Sequence, residues 1–358
     1  MADFLLDMFR SMPKTELHMH LDGAVEVKTA GELIAAGAAP RAVKETGLSA
    51  PLSYETLYRR LVAERPLATQ AELLKYYDLP IALLQSEEAL KRVTDELLRA
   101  KAADNVRYCE IRYAPQLHCV EGMSVRRVAE SVAGAARRAC ARYNIRARLI
   151  VVGMRSHSHE SNTDMLYSAL EADTYGMIGG ADLAGPEAAD PDPASQKPFL
   201  DEARKLGLGV TLHCGELPGS AGTIRRCVDL IAPDRIAHGS GAADDEGLCR
   251  LLSERGIQLD LCPTSNIQAG LYKDYTEFPA AALHKRGVPI SISTDSPVIS
   301  GLSLSEEYHR MAIQGRLSAA DIWKINLNSS DRAFADDSVK TALKEEFLSW
   351  AKDVSELY

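Results

Sequence analysis

The sequence lacks the features that mark nucleic-acid-binding, membrane and secreted proteins. The 358 residues carry a net charge of −9, and acidic and basic residues are mixed along the chain, so no basic patch for a nucleic acid is indicated. No stretch approaches the roughly 18 consecutive apolar residues of a membrane span. The run Phe4-Leu5-Leu6 lies between Asp3 and Asp7, and no signal-peptide core follows it. We therefore expect neither a nucleic acid nor a membrane as a partner.

Paired cysteine motifs are absent as well. The seven cysteines form no Cys-x-x-Cys pair and no spacing typical of a disulfide framework. An odd and scattered set of this kind is typical of reduced thiols, so we expect a cytoplasmic location. The hydrophobic residues, 46% of the chain, are enough for one sizeable core.

Short apolar runs alternate with helical segments along most of the chain. This alternation predicts a parallel sheet, and eight runs without a ninth fit a closed (β/α)₈ TIM barrel of class α/β, formed by residues 1–358 as one domain. An open doubly wound sheet is the alternative, but it usually has a glycine-rich turn after its first strand, where this chain has His-Leu-Asp-Gly. After a first strand around His18, the predicted strands are 106–113, 147–153, 177–185, 209–213, 235–239, 258–262 and 288–293.

A long helical stretch, from about residue 27 to residue 103, separates the first strand from the second. Its apolar residues recur at helical spacing, as in Leu90, Val93 and Leu97. The stretch is too long for a simple connection between neighbouring strands. We predict a helical insertion that partly covers the barrel, with residues 54–77 as the covering segment.

The predicted strand ends collect histidines and carboxylates, and the active site of a barrel lies at these ends. His18 and His20 are two residues apart on one strand, so both imidazoles face the same side. His213 ends the fifth strand and Asp295 follows the eighth. Each residue alone would also fit a core histidine or a turn. Together, three imidazoles and one carboxylate suit zinc or a similar divalent ion, with a water molecule completing the coordination sphere.

Further residues near these ends suit acid–base chemistry. Water on such a metal titrates near neutral pH and gives a hydroxide nucleophile. His238 would orient this water and accept its proton, and Glu216, in the loop after the fifth strand, suits a general acid. Asp295 is counted with the catalytic residues as well. His157 and His159 form a second His-x-His without a further ligand, and we interpret them as a loop near the pocket or as a second metal site.

Six motifs then occur in a characteristic order: His-x-His-Leu-Asp-Gly at 18–23, Asp-Leu-Ala-Gly at 182–185, His-x-Gly-Glu at 213–216, Ile-Ala-His-Gly at 236–239, Cys-Pro-x-Ser-Asn at 262–266 and Ser-Thr-Asp-x-Pro at 293–297. In them the chain, over about residues 10–345, resembles the adenosine deaminase family of the amidohydrolase superfamily. The resemblance implies a (β/α)₈ barrel with one zinc ion per chain, held by His18, His20, His213 and Asp295. It implies hydrolytic deamination of a 6-aminopurine nucleoside, adenosine or 2′-deoxyadenosine.

The resemblance also implies a role for individual residues. Glu216 would protonate purine N1, and His238 would be the partner of the zinc-bound water. Gly185 would offer its backbone N–H to purine N3, and Asp22 would hold the ribose 5′-hydroxyl. Family members specialised for free adenine carry glutamate in place of this aspartate, so Asp22 favours a nucleoside. The helical insertion would be the lid over the pocket.

One residue departs from the family pattern. Two consecutive aspartates usually end strand eight, and the second is Ser296 here. In the family the second carboxylate meets purine N7. Either Ser296 keeps a weakened N7 contact and adenosine remains the substrate, or the vacated space admits a modified or enlarged purine. A non-catalytic nucleoside-binding protein and a hydrolase of amides or esters would also be compatible with the barrel. The sequence does not indicate an oligomeric state.

Overall fold

Eight parallel strands form the centre of the structure, a computed structural model that describes residues 2–38, 44, 46, 52–64, 66–187, 193–352 and 354. Each strand pairs with the next one in sequence order. A parallel bridge between Met19 and Asp295 links the first strand to the segment after the eighth. The predicted (β/α)₈ barrel is therefore confirmed. The strands are β1 Lys14–His20, β2 Val106–Tyr113, β3 Arg146–Met154, β4 Ile178–Ala184, β5 Gly209–Cys214, β6 Arg235–His238, β7 Gln258–Leu261 and β8 Ile290–Ile292.

Helices surround the barrel and connect its strands. Within the described parts of the chain, none is long and apolar enough to cross a membrane. The helices are α1 Ala2–Ser11, α2 Val27–Ala35, α3 Tyr54–Leu61, α4 Gln70–Leu74, α5 Asp78–Leu83, α6 Glu87–Ala103, α7 Val125–Tyr143, α8 His159–Ala172, α9 Lys197–Lys205, α10 Ala221–Leu230, α11 Glu246–Arg255, α12 Pro263–Gln268, α13 Ala280–Lys285, α14 Pro297–Ser300, α15 Leu304–Ile313, α16 Ala319–Asp331 and α17 Asp337–Ala351.

Strand β8 is shorter than the predicted run 288–293. Pro289 has no N–H to donate to a neighbouring strand. The Val288 N–H donates to the Leu283 carbonyl and so belongs to the end of α13. Regular pairing therefore begins only at Ile290.

Helix α7 shows how local sequence produces a barrel helix. Ser124 accepts a hydrogen bond from the Arg127 N–H and caps the first turn. Val128 and Val132, four residues apart, are buried on one face. The helix ends at Asn144, whose φ of 52° is left-handed, a conformation that asparagine tolerates better than most residues.

Charged side chains fill part of the barrel interior. Arg112 donates to Asp182 at 2.9 Å, and Arg235 donates to Asp260 at 2.9 Å. Arg235 also pairs with Glu110. All five side chains are fully buried, and buried charges are tolerated when they are paired and hydrogen-bonded. Asp182, at one end of this network, also lies 3.0 Å from Nδ1 of His213 at the end of β5.

The helical stretch between β1 and β2 divides into two parts. Helix α6 packs on the barrel, with Leu90, Val93 and Leu97 buried. The side chains of this stretch that line the cavity at the end of the barrel lie within residues 70–81. Tyr54, where the predicted covering segment begins, is 64% exposed. The part of the insertion that lines the cavity therefore begins further along the chain than predicted. Of the predicted insertion, residues 39–43, 45, 47–51 and 65 lie outside the described residues.

Candidate metal and active site

Four predicted ligands converge at the C-terminal end of the barrel. One ligand atom from each of His18, His20, His213 and Asp295 lies within 4.8 Å of all the others. His18 Nε2 is 3.1 Å from Asp295 Oδ1, and His20 Nε2 is 3.1 Å from His213 Nε2. The two histidines of β1 meet because alternate residues of a strand face the same side.

Several atoms of this cluster lack hydrogen-bond partners although they are buried. Both ring nitrogens of His18 and Oδ1 of Asp295 make no hydrogen bond, although His18 Nε2 and Oδ1 lie 3.1 Å apart. Burial lowers the pKa of His18 well below its ordinary value and that of His20 to about 3, so both rings are neutral and offer a lone pair. Buried polar atoms are normally satisfied. A divalent ion with nitrogen and oxygen ligands fits this donor set.

The predicted ligand His213 is held by contacts on the side of the ring away from the cluster and at its backbone. Its Nδ1 lies 3.0 Å from Asp182, which also accepts from Arg112. The Arg155 guanidinium donates to the His213 carbonyl oxygen at 2.7 Å. A carboxylate behind a ligand histidine sets the ring orientation and leaves Nε2 for the metal. The sequence placed Asp182 at a strand end without assigning it this contact.

A second set of four residues is a weaker candidate for a metal. His18, His238, Cys262 and Asp295 also bring ligand atoms within 4.8 Å of one another. Burial raises the pKa of the Cys262 thiol well above its ordinary value. Because the thiolate, not the thiol, binds metals, the set with His20 and His213 is the better site.

His238 and Glu216 form a pair beside the cluster. His238 Nε2 is 3.3 Å from Glu216 Oε1, and the His238 ring lies 4.8 Å from the His18 ring. Nδ1 of His238 is 3.1 Å from the side-chain amide of Asn266. Glu187, which no sequence motif indicated, accepts from the backbone N–H of Glu216 at 2.9 Å. The pair can pass a proton between a group at the cluster and a group in the cavity.

A cavity of about 310 Å³ opens above the cluster. Asp22, Gly185 and Glu216 line it, and Oδ1 of Asp22 is buried without a hydrogen-bond partner. Ser296 does not face the cavity; its hydroxyl hydrogen-bonds to the hydroxyl of Tyr77. The apolar part of the wall consists of Leu73, Leu74, Ile81, Ala114, Leu117, Val152, Met154, Ala184 and Pro186.

The second His-x-His is not part of this arrangement. His157 and His159 do not line the cavity, and His159 pairs with the neighbouring Glu160 at 3.1 Å. Neither belongs to a candidate metal cluster among the residues that the structure describes.

Comparisons with known proteins agree with this geometry. The profile of the family described as Adenosine deaminase matches residues 13–350. An adenosine deaminase of Clostridium perfringens is 34% identical over 337 residues, which cover 93% of this chain and 97% of the relative. This chain belongs to the adenosine deaminase family.

Solved structures of related deaminases and amidohydrolases share the fold of this adenosine deaminase family member. An amidohydrolase from Burkholderia ambifaria with bound zinc is 26% identical, with a TM-score of 0.82, and the match covers 97% of this chain and 93% of the other. The N6-methyl-AMP deaminase of Arabidopsis thaliana is 27% identical, with a TM-score of 0.83 and coverage of 98% and 100%. The chain is thus a hydrolase of C–N bonds in cyclic amidines that deaminates an aminopurine nucleoside.

Proposed function

We propose that this chain hydrolyses adenosine and 2′-deoxyadenosine to the corresponding inosines and ammonia, with one zinc ion per chain. The observation that carries the proposal is the convergence of His18, His20, His213 and Asp295 at the floor of a cavity that Glu216 also lines. Deamination of an aminopurine needs an activated water that attacks the ring and a general acid that protonates it. The metal ligands and Glu216 provide a place for both.

Zinc is the ion we assign to the four ligands. Neutral imidazoles and a carboxylate are common zinc ligands, and the related amidohydrolase of Burkholderia ambifaria is described with bound zinc. When bound, zinc would supply the nucleophile by lowering the pKa of a water molecule to near neutrality.

The proton movements are assigned to the neighbouring pair. We assign to His238 the proton that water loses as its oxygen bonds to purine C6, because this ring lies beside the cluster. Glu216 in its acid form donates to N1, which makes C6 more electrophilic. Protonation of the amino group then lets it leave as ammonia, and the net reaction adds one water and releases one ammonia. Asn266 and Glu187 hold the two catalytic groups in place.

The cavity lining favours a nucleoside over a nucleotide. Among the described residues that line it there is no lysine or arginine, whereas Asp22, Asp78 and Glu216 are present. A phosphate would find no cationic partner among these residues. The unpartnered oxygen of Asp22 suits a ribose 5′-hydroxyl, and Gly185, which lines the cavity, suits purine N3 through its backbone N–H. We therefore expect a substrate without the phosphate of N6-methyl-AMP, the compound that names the related Arabidopsis deaminase.

We further propose that residues 70–81 act as a lid and that the protein resides in the cytoplasm. The lid is supported by Leu73, Leu74 and Tyr77, which form one wall of the cavity. The location is supported by the seven cysteines, which are all free thiols.

Ammonia release from zinc-loaded protein tests the function. The substrate panel holds adenosine, 2′-deoxyadenosine, adenine, AMP, N6-methyladenosine and N6-methyl-AMP, the methylated substrates releasing methylamine. Glu216→Gln is the control for the acid. Fast turnover of adenosine and 2′-deoxyadenosine, with little turnover of AMP, supports the proposal. Preference for a nucleotide, for free adenine or for a methylated substrate would contradict it.

A further inference from the structure

The position of Ser296 is not vacant, because the lid fills the space beside it. Tyr77 lies at the end of the 3₁₀ turn Lys75–Tyr77, and its hydroxyl hydrogen-bonds to the Ser296 hydroxyl. The Tyr77 ring stands edge-on to His20, with ring centres 6.1 Å apart and an interplanar angle of 78°. Tyr77 lines the cavity, whereas Ser296 does not. The polar group that reaches the substrate from this side therefore belongs to Tyr77.

Ser296 is confined to this contact by its surroundings. Its side chain is covered, with 2% of the residue exposed. A Cβ atom placed on Gly23 would lie 2.2 Å from Ser296 Oγ, so the serine hydroxyl packs directly on the Gly23 backbone. With Gly23 on one side and Tyr77 on the other, the serine cannot swing into the cavity without losing its partner.

The two hydroxyls leave one donor for the substrate. Each hydroxyl holds one proton, and a single hydrogen bond between them uses one of the two. The phenol of tyrosine has an ordinary pKa of about 10, so it keeps its proton at neutral pH. When Ser296 donates to Tyr77, the Tyr77 O–H is free to point into the cavity.

Purine geometry indicates which atom this donor meets. Two ring nitrogens flank C6 on opposite sides, N1 in the six-membered ring and N7 across C5. Glu216 pairs with His238 from β6, whereas Tyr77 approaches His20 on β1. With C6 over the metal cluster and N1 at Glu216, N7 lies on the side of Tyr77.

We propose that Tyr77, oriented by Ser296, donates a hydrogen bond to purine N7 and makes recognition of this atom depend on the lid. The proposal rests on the proposed function, since it takes a 6-aminopurine as the ligand. Tyr77 is then a specificity-determining residue, and Ser296 is a positioning residue that acts through it. A phenol donates without the protonation that a carboxylate would need.

A ligand without the acceptor tests the contact directly. In 7-deaza nucleosides a C–H replaces N7, so no hydrogen bond can form. We expect zinc-loaded wild-type protein to bind purine riboside about tenfold more tightly than 7-deazapurine riboside. Tyr77→Phe keeps the ring and should bring this ratio close to one. Tyr76→Phe, whose residue does not line the cavity, is the matched control and should keep the wild-type ratio.

Ser296→Ala separates positioning from direct contact. It should lower the ratio only partly, because the Tyr77 hydroxyl remains but is no longer oriented. A ratio that is unchanged in Tyr77→Phe would overturn the proposal, as would a wild-type ratio near one. The binding ratio requires no turnover. Failure of the wild type to deaminate adenosine would therefore count against the proposed function, while the ratio would still decide the role of Tyr77.

Discussion

Two residues of the site, His238 and Asp295, have a backbone conformation that is unusual outside glycine. Their φ angles are 65° and 60°, in the left-handed region. For an L-residue this conformation costs about 1–2 kcal/mol. Such strain persists where neighbouring contacts hold it and where function requires the side-chain direction. Here the neighbours are Ser265, which donates to Asp295 at 2.6 Å, and Asn266, which contacts His238.

Removal of the Ser265 hydroxyl should weaken metal binding. It donates to Oδ2 of Asp295 and so leaves Oδ1 to face the cluster. Loss of a contact that orients a ligand typically lowers metal affinity by about 10- to 100-fold. We expect Ser265→Ala to lower zinc affinity by about tenfold, measured by competition with a chelator. Ser300→Ala, at a serine that donates to a backbone carbonyl, is the control and should leave the affinity unchanged. Equal affinity in wild type and Ser265→Ala would show that the hydroxyl does not orient the ligand.

The sequence predicts the residues that carry the chemistry but not those that hold them. His18 and His20 are recognisable because their spacing places both on one face of a strand. Glu187 and Tyr77 carry no such local signal. Glu187 acts on the backbone of Glu216, 29 residues away, and Tyr77 meets Ser296 across 219 residues. Contacts of this kind exist only after the barrel and the insertion are in place.

At the scale of elements, the turn after β5 is held by the chain that follows β4. The Glu187 carboxylate accepts from the N–H groups of Gly215 and Glu216. Gly215 has a φ of 87°, and a Cβ there would lie 2.7 Å from Ile224 and 3.0 Å from Gly239. The tight turn therefore needs both a glycine and an external acceptor to direct Glu216 into the cavity.

Glu187→Gln should therefore affect catalysis more than binding. Glutamine has no negative charge, and it replaces one of the two accepting oxygens of Glu187 by an NH₂ group that cannot accept, so both N–H groups are held more weakly. We expect kcat to fall by about tenfold, with KM and zinc content nearly unchanged, because Glu216 is less well placed but still present. Steady-state kinetics and metal analysis provide both readouts. Glu202→Gln, at a glutamate on α9 that pairs with Lys205, is the surface control. A rise in KM without a change in kcat would contradict this role.

The lid can be tested as an element by hydrogen exchange. If residues 70–81 close over the ligand, purine riboside should slow amide exchange there, because the segment is held by new contacts. Helix α8, His159–Ala172, does not line the cavity and serves as the internal reference. The measurement is mass spectrometry of peptides with and without ligand. Equal exchange of residues 70–81 in both states would show that this segment does not close over the ligand.

At the scale of the whole molecule, the barrel is predictable because its strands and helices alternate in sequence. The charged interior is not predictable in the same way. Glu110 and Arg112 look locally like polar residues of a half-exposed strand, yet both are fully buried. Closure of the barrel brings Asp182, Arg235 and Asp260 to them. The pairing depends on the closed ring, which a local pattern does not contain.

Acid should destabilise the molecule through His118, which is fully buried in the 3₁₀ turn Pro115–His118. Burial lowers its pKa from 6.5 to about 4. Between these values the unfolded chain binds a proton that the folded chain does not, so the free energy of unfolding falls as pH falls from 6.5 to 4. The full effect is about 3 kcal/mol. Above pH 6.5 this group contributes no pH dependence.

The comparison of wild type with His118→Gln isolates this group. Urea unfolding from pH 7.5 to 4 gives the free energy of unfolding of both proteins. The difference between them should be constant above pH 6.5. On acidification to pH 4 the wild type should lose up to about 3 kcal/mol more than the variant. Both proteins keep the same metal site, so zinc release by acid cancels in the difference. His284, on α13, pairs with Asp321 at 3.4 Å and is partly exposed. His284→Gln changes a histidine that is not buried and serves as the control for the substitution itself. A His118→Gln difference that stays constant down to pH 4 would mean that the folded chain accepts the proton at His118 without penalty.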